Sequence, residues 1–120
     1  VEAIAFQVKD VFDAMEAEAG CALPSLFADG GATRNDWLMQ FQADVLGRPV
    51  VRSSCEDLSA LGAAWFGGLT LGWWPSTSAL ESVQPETQPF VPCMDEDERR
   101  RRCSEWSLAV ARAQLAEAQR

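Results

Sequence analysis

Two short apolar runs, each leading into a helix-start signal, leave this chain few ways to fold. Ser25-Leu26-Phe27-Ala28-Asp29 stops at Gly30-Gly31, and Pro49-Val50-Val51-Arg52 leads through a polar turn to Glu56. Between them Trp37, Leu38, Phe41, Val45 and Leu46 recur at helical spacing until Gly47, a stop signal. The pattern predicts a strand over 25–29, a helix over 34–46, a strand over 49–52 with its proline at the permitted first position, and a helix over 57–71. Strands separated by a whole helix pair in parallel through a right-handed crossover. The fold class expected is α/β, built on a βαβα unit with flanking helices.

The flanks are helical by the same reasoning. Ile4, Val8, Val11, Phe12 and Met15 form a stripe over 1–19, with Lys9, Asp10, Glu16 and Glu18 outside it and Gly20 as the stop. The chain opens inside this pattern without a cap, which reads as an excerpt of something longer. Thr33 and Asp36 form a Thr-x-x-Asp capping pattern for the second helix. The stretch 75–92 holds four of the six prolines and is expected to be mostly irregular. A last helix is expected over 95–118, capped reciprocally by Asp95 and Glu98, with Trp106, Val110 and Ala113 as its buried stripe. Its arginines 99 to 102 each follow an acid by four residues, giving four ion pairs of roughly 0.2–0.5 kcal/mol each and a neutral, solvated face. The run is scaffolding, not a phosphate patch.

Composition narrows the chemistry. At 120 residues, 48% hydrophobic and 23% charged, the chain is one modest globular domain or a piece of a larger one. Its formal net charge of −8 repels polyanions, so neither nucleic acid nor an anionic membrane is an expected partner. Histidine is absent, which removes Ser-His-Asp and Cys-His catalysis and any His-ligated metal. No catalytic residue and no metal ligand is assigned. Cys21, Cys55, Cys93 and Cys103 form no C-x-x-C pair and are read as reduced thiols of a cytoplasmic protein. The uncharged stretch Leu58 to Leu80 is interrupted by four glycines and Pro75, so it is not read as a membrane span.

Two stretches carry functional information. Gly30-Gly31, between a strand and a helix start, lets backbone approach a ligand closely, and the helix N-terminus beyond it suits a phosphate. Asn35, the chain's one asparagine, falls in that helix's first turn, where its amide can meet a base or ribose edge. A tight turn with no ligand is the competing reading. Ala60, Ala64 and Gly68 make a smooth helix face, suited to ordinary tight packing or to a hinging contact between domains. Trp37, Trp65 and Trp106 are expected in the core, whereas Trp73-Trp74 suits a groove rim or an interface equally well.

In this order the two stretches resemble the nucleotide-binding domain of actin-like, hexokinase and heat-shock chaperone ATPases. More narrowly, the runs Val1 to Gln7, Leu38 to Val50, Ala60-Leu61-Gly62-Ala63-Ala64, Phe90 to Asp95 and the Trp106 to Ala113 helix resemble the FGGY carbohydrate kinases. Met39-Gln40-Phe41-Gln42-Ala43-Asp44 favours the glycerol kinase branch over the pentulose and gluconate kinases. The resemblance implies the C-terminal part of an actin-like, ribonuclease-H-like ATPase domain, with an incomplete parallel sheet and one edge unprotected. It implies transfer of a phosphoryl group from ATP to glycerol, with Mg²⁺ and glycerol bound mainly by residues upstream of this chain. By that match Gly31 approaches the nucleotide phosphates and ribose, Asn35 meets the adenine end, and Gly30 supports the turn. The catalytic Asp and both phosphate loops of the family lie upstream, so this chain alone is expected to be inactive. A homo-oligomer is the expected state, because exposed edges and orphaned apolar faces promote association. Ser53-Ser54-Cys55-Glu56-Asp57-Leu58 and Trp73-Trp74 depart from the family pattern. Another FGGY sugar or polyol kinase, such as a pentulose kinase, and a non-catalytic acidic interaction module are the alternatives.

Overall fold

A computed structural model describes residues 1–117. The elements run α1 (Glu2–Ala19), β1 (Leu26–Ala28), a 3₁₀ turn (Gly31–Arg34), α2 (Asp36–Leu46), β2 (Val50–Ser53) and α3 (Leu58–Thr70). A second 3₁₀ segment (Thr77–Val83), β3 (Thr87–Phe90) and α4 (Glu96–Glu117) complete the order. Residue 118 of the expected last helix lies outside the described residues.

β1 and β2 pair in parallel, Leu26 opposite Val50 and Ala28 opposite Arg52, with α2 as the crossover between them. Both α1 and α2 end on glycines in the left-handed region, Gly20 (φ 66°) and Gly47 (φ 65°), each sending its N–H back to the helix's last turn. The stretch 75–92, expected to be mostly irregular, is not. It folds into the 3₁₀ segment and β3, which pairs antiparallel with β2 through Val50 opposite Phe90 and Ser53 opposite Thr87. The sheet is therefore mixed, in the order β1-β2-β3. Pro89 is tolerated in β3 because that strand is an edge, where a missing N–H breaks no second ladder.

The core lies between the sheet, α1, α2 and the first turns of α4. Phe6, Phe41, Val45, Val50 and Phe90 are buried there. Phe6 meets Phe41 edge-on at 5.6 Å and stacks on Trp106 at 5.4 Å, and Trp106 Nε1 donates to Asp10 at 2.8 Å. The stripe expected for α1 is mostly on the outside. Ala5, Phe6 and Phe12 pack inward, whereas Ile4, Val11 and Met15 remain 48%, 61% and 56% exposed. α1 carries two apolar rows; α2 takes the row containing Ala5, whose small side chain permits close approach, and Gln42 Nε2 donates to the Ala5 carbonyl at 3.1 Å. The outer row joins Leu26 on the free side of β1 to line an apolar groove of about 320 Å³.

α4 begins as expected at Asp95, whose Oδ1 accepts the Glu98 amide at 2.9 Å. The return half of the reciprocal cap is replaced, because the Glu98 carboxylate goes to Arg101 and Arg102. Of the four expected i,i+4 pairs, Glu96–Arg100 and Glu98–Arg102 form; Asp95 serves as the cap, and Arg101 turns to Glu98 and Glu105. Past Trp106 the expected stripe leaves the core, with Val110 half-buried and Ala113 exposed. The radius of gyration is 18.3 Å, well above the roughly 14 Å of a compact chain of this length. α3 and the far end of α4 account for the difference, since neither packs extensively on the sheet.

Candidate functional site

The carboxyl ends of β1 and β2 lie side by side, and in open α/β sheets this is the end at which ligands gather. The segment leaving β1 reaches Gly30 at φ 90°, ψ 172°, a conformation essentially restricted to glycine. Gly31 opens the 3₁₀ turn with no positive φ, and a Cβ built there meets no atom within 4 Å. The conformational demand thus falls on Gly30, and Gly31 is free to be read by whatever approaches it. The Thr33 hydroxyl and amide both donate to the Gly30 carbonyl, at 2.7 and 3.0 Å, closing the turn.

The expected Thr33–Asp36 cap is not formed. α2 starts two residues later, capped by Asn35, whose Oδ1 accepts the Leu38 amide at 3.0 Å. Thr33 is drawn back into the turn by its bond to Gly30, which leaves Asn35 as the nearest side chain able to cap. Asn35 is exposed, and its Nδ2 has no hydrogen-bond partner among the described residues. The start of α2 already carries the Asp36 carboxylate, so it is a poor seat for a phosphate; the approachable backbone lies earlier, at Gly31.

Two cavities flank this end of the sheet. The polar one, about 420 Å³, is lined by Thr33, Arg34, Asp36, Arg52, Glu56 and Gln88 among others. Arg34 and Glu56 form a bidentate pair across it, which raises the Arg34 pKa and holds the Glu56 carboxyl below its usual 4.5. The second, about 300 Å³ and more apolar, lies between Phe27, Val51, Leu58 and Trp65. Gly30, Gly31 and Asn35 line neither cavity, so the structure brings those three together on an open surface beside the polar cleft. Among the described residues no three metal-ligating side chains of the His, Cys, Asp or Glu type converge.

Sequence reasoning missed Arg52. The signal was present: Arg52 stands two residues after fully buried Val50 and so shares its side of the pleat, where a charge requires partners. It also placed tryptophans too deeply. Trp37 is exposed and stacked on Phe41 at 5.0 Å, while Trp65 and Trp106 are half-buried. Of the Ala60, Ala64 and Gly68 face, the two alanines are exposed and Gly68 is covered by the Trp74 ring. Trp73 stands in solvent. All four cysteines are free thiols. None of the described helices is long and apolar enough to cross a membrane.

A strand, the Gly-Gly turn, a helix and a second parallel strand make a βαβ unit, which is not the architecture of a purely helical interaction module. The sequence profile of the FGGY family of carbohydrate kinases, C-terminal domain, matches residues 1–71, and the chain belongs to that family. Its fold is the corresponding part of an actin-like, ribonuclease-H-like ATPase domain. Among relatives, the apulose kinase of Pectobacterium atrosepticum is 48% identical over 96% of this chain and 23% of its own length. The glycerol kinase of Dechloromonas aromatica is 49% identical over 94% of this chain and 22% of its own length. The crystal structure of Plasmodium falciparum glycerol kinase with ADP superposes with a TM-score of 0.79 at 33% identity, covering 92% of this chain and 22% of that one. The chain therefore spans less than a quarter of the kinases it matches.

Proposed function

We propose that residues 1–120 are the C-terminal part of the nucleotide-binding domain of an ATP-dependent glycerol kinase, which transfers a phosphoryl group to glycerol and yields glycerol 3-phosphate. The observation that carries this reading is the exposed Gly30-Gly31 turn at the carboxyl end of β1, with a glycine-only conformation at Gly30 and open space at Gly31. In this reading Gly31 passes its backbone against the ribose and phosphates, Asn35 offers its unpaired Nδ2 to the adenine end, and Gly30 holds the turn. ATP or ADP is the ligand of this chain. Mg²⁺, which in phosphoryl transfer neutralises the β- and γ-oxygens, and glycerol fall to residues outside it. Without those residues the chain by itself has no kinase activity, since phosphoryl transfer depends on a complete positioning apparatus. The whole enzyme is read as a cytoplasmic homo-oligomer; the apolar groove along Ile4, Val11, Met15 and Leu26 supports a covered, not a solvent-facing, edge at β1.

The decisive experiment is titration of the full-length kinase with ADP. A Cβ at residue 31 meets no atom of this chain within 4 Å, so Gly31→Val should fold, which its melting temperature checks, while ADP affinity falls strongly and glycerol KM stays the same. Unchanged ADP affinity in the folded variant removes the nucleotide assignment. A second acceptor, apulose, is favoured by one observation, the 48% identity to a kinase of that name. Comparison of kcat/KM for glycerol and apulose on the same enzyme decides between them.

A further inference from the structure

One side chain ties the Gly31–Asn35 turn to the sheet. Arg52 projects from β2 with its side chain 19% exposed. Its Nη1 donates to the Thr33 carbonyl at 2.6 Å and to Asp36 Oδ1 at 2.7 Å. Its Nη2 donates to Gln88 on β3, and the guanidinium lies 5.2 Å from the centroid of the Phe90 ring. A single planar fork therefore joins the last part of the turn, the first residue of α2 and the neighbouring strand. The other polar tie, Arg34 to Glu56, is a pair of exposed side chains, which contributes little to fixing geometry.

We infer that Arg52 is a positioning residue for the nucleotide: it sets the height of the Gly31–Asn35 turn above the sheet, and with it the place of the Gly31 backbone and the Asn35 amide. This rests on the nucleotide reading of that turn. Arg52 itself touches no nucleotide in this account. It acts through the Thr33 carbonyl and Asp36, and the Phe90 face and Gln88 hold the guanidinium so that it cannot swing away. A lysine cannot replace it, because one ammonium can neither span Thr33 and Gln88 together nor lie flat on the ring.

The test uses the full-length kinase and three variants, Arg52→Gln, Arg52→Lys and Gly31→Val, with ADP as the probe. ADP affinity should fall about tenfold or more in both Arg52 variants, as expected for losing hydrogen bonds from a charged donor. Acceptor KM should stay within about twofold, and amide exchange without nucleotide should accelerate at residues 31–35 but not in α1. Arg52→Lys should keep the melting temperature without restoring ADP affinity, which separates positioning from mere stability. If both Arg52 variants bind ADP normally while Gly31→Val does not, the positioning role falls and the nucleotide site stands. If all three bind normally, the site falls and the inference with it. Equal loss of ADP and acceptor binding with a collapsed melting temperature in Arg52→Lys would make Arg52 a structural residue alone and overturn the inference.

Discussion

α2 and α3 each follow a strand of the same sheet, and each is largely apolar, yet their fates differ. α2 buries eight of its eleven residues; α3 buries Gly68 alone of thirteen. Composition points the other way, since α2 contains Asp36 and Asp44 and α3 has no charged residue between Leu58 and Thr70. The difference lies in what each helix can reach. α2 is sandwiched between α1 and the sheet and is fastened by Asp44, a buried carboxylate accepting the amides of Cys93 at 2.7 Å and Met94 at 3.2 Å and Gln40 Nε2 at 3.1 Å. α3 has Trp74 over Gly68 and leaves Phe66 73% exposed. Burial is a property of a pair of surfaces, and a helix without its second surface stays open however apolar its sequence. The proposal that this chain is one part of a larger kinase domain supplies that second surface.

The sharpest way to break this contrast is to truncate one aromatic in each helix. Phe41→Ala removes the ring between Phe6, Trp37 and the Arg102 guanidinium and should cost about 3–5 kcal/mol by denaturant titration of the chain. Phe66→Ala should change stability by no more than about 0.5 kcal/mol, because its ring is already in water. Equal losses would mean that α3 packs in solution as α2 does. In the full-length kinase the Phe66 substitution should become the costly one if α3 is covered there.

A smaller effect tests the polar fastening. Asp44→Ala strands the Cys93 and Met94 amides and should destabilise the chain by about 1–3 kcal/mol. The same carboxylate raises the pKa of the Cys93 thiol, first by its hydrogen bond and then by its charge. Near the ordinary thiol value of 9.0, Cys93 should therefore react more slowly with a thiol reagent than exposed Cys21, and Asp44→Asn should accelerate it. Equal rates in the parent and the variant would disconnect the two groups.

The smallest effect is acid-dependent. Glu56, at the approach to α3, and Glu98, in α4, titrate below the ordinary glutamate value of 4.5 because arginines bind their charged forms. Their folded values are lowered, so their contribution is whole above about pH 4.5 and disappears as the pH falls through the depressed values. Melting curves should lose height on acidification below that point. Glu98→Gln should flatten the loss more than Glu56→Gln, since Glu98 serves two arginines and Glu56 one. An acid limb unaltered by either change would assign it to other carboxylates.

The alternation of strand and helix, the helix ends at Gly20 and Gly47, the cap at Asp95 and the parallel pairing of the first two strands were legible from local signals. Hydrophobic period, glycine and cap chemistry act within a turn or two of chain, so sequence alone expresses them. The Gly30-Gly31 turn was legible for the same reason. What sequence left open depends on partners distant along the chain. It could not choose which of α1's two apolar rows meets α2, because both have helical spacing. Nor could it see that Pro89 belongs to a strand, because the pairing that tolerates it is set by Val51, far upstream. Arg52 reads as the end of a strand until Thr33, Asp36 and Gln88 converge on it, and those contacts exist only once the crossover has closed. α3 reads as a core helix until the fold shows that, among the described residues, Gly68 alone of its thirteen is buried. Local signals determined the elements; which of their faces are buried was decided by tertiary packing, because burying a face takes two.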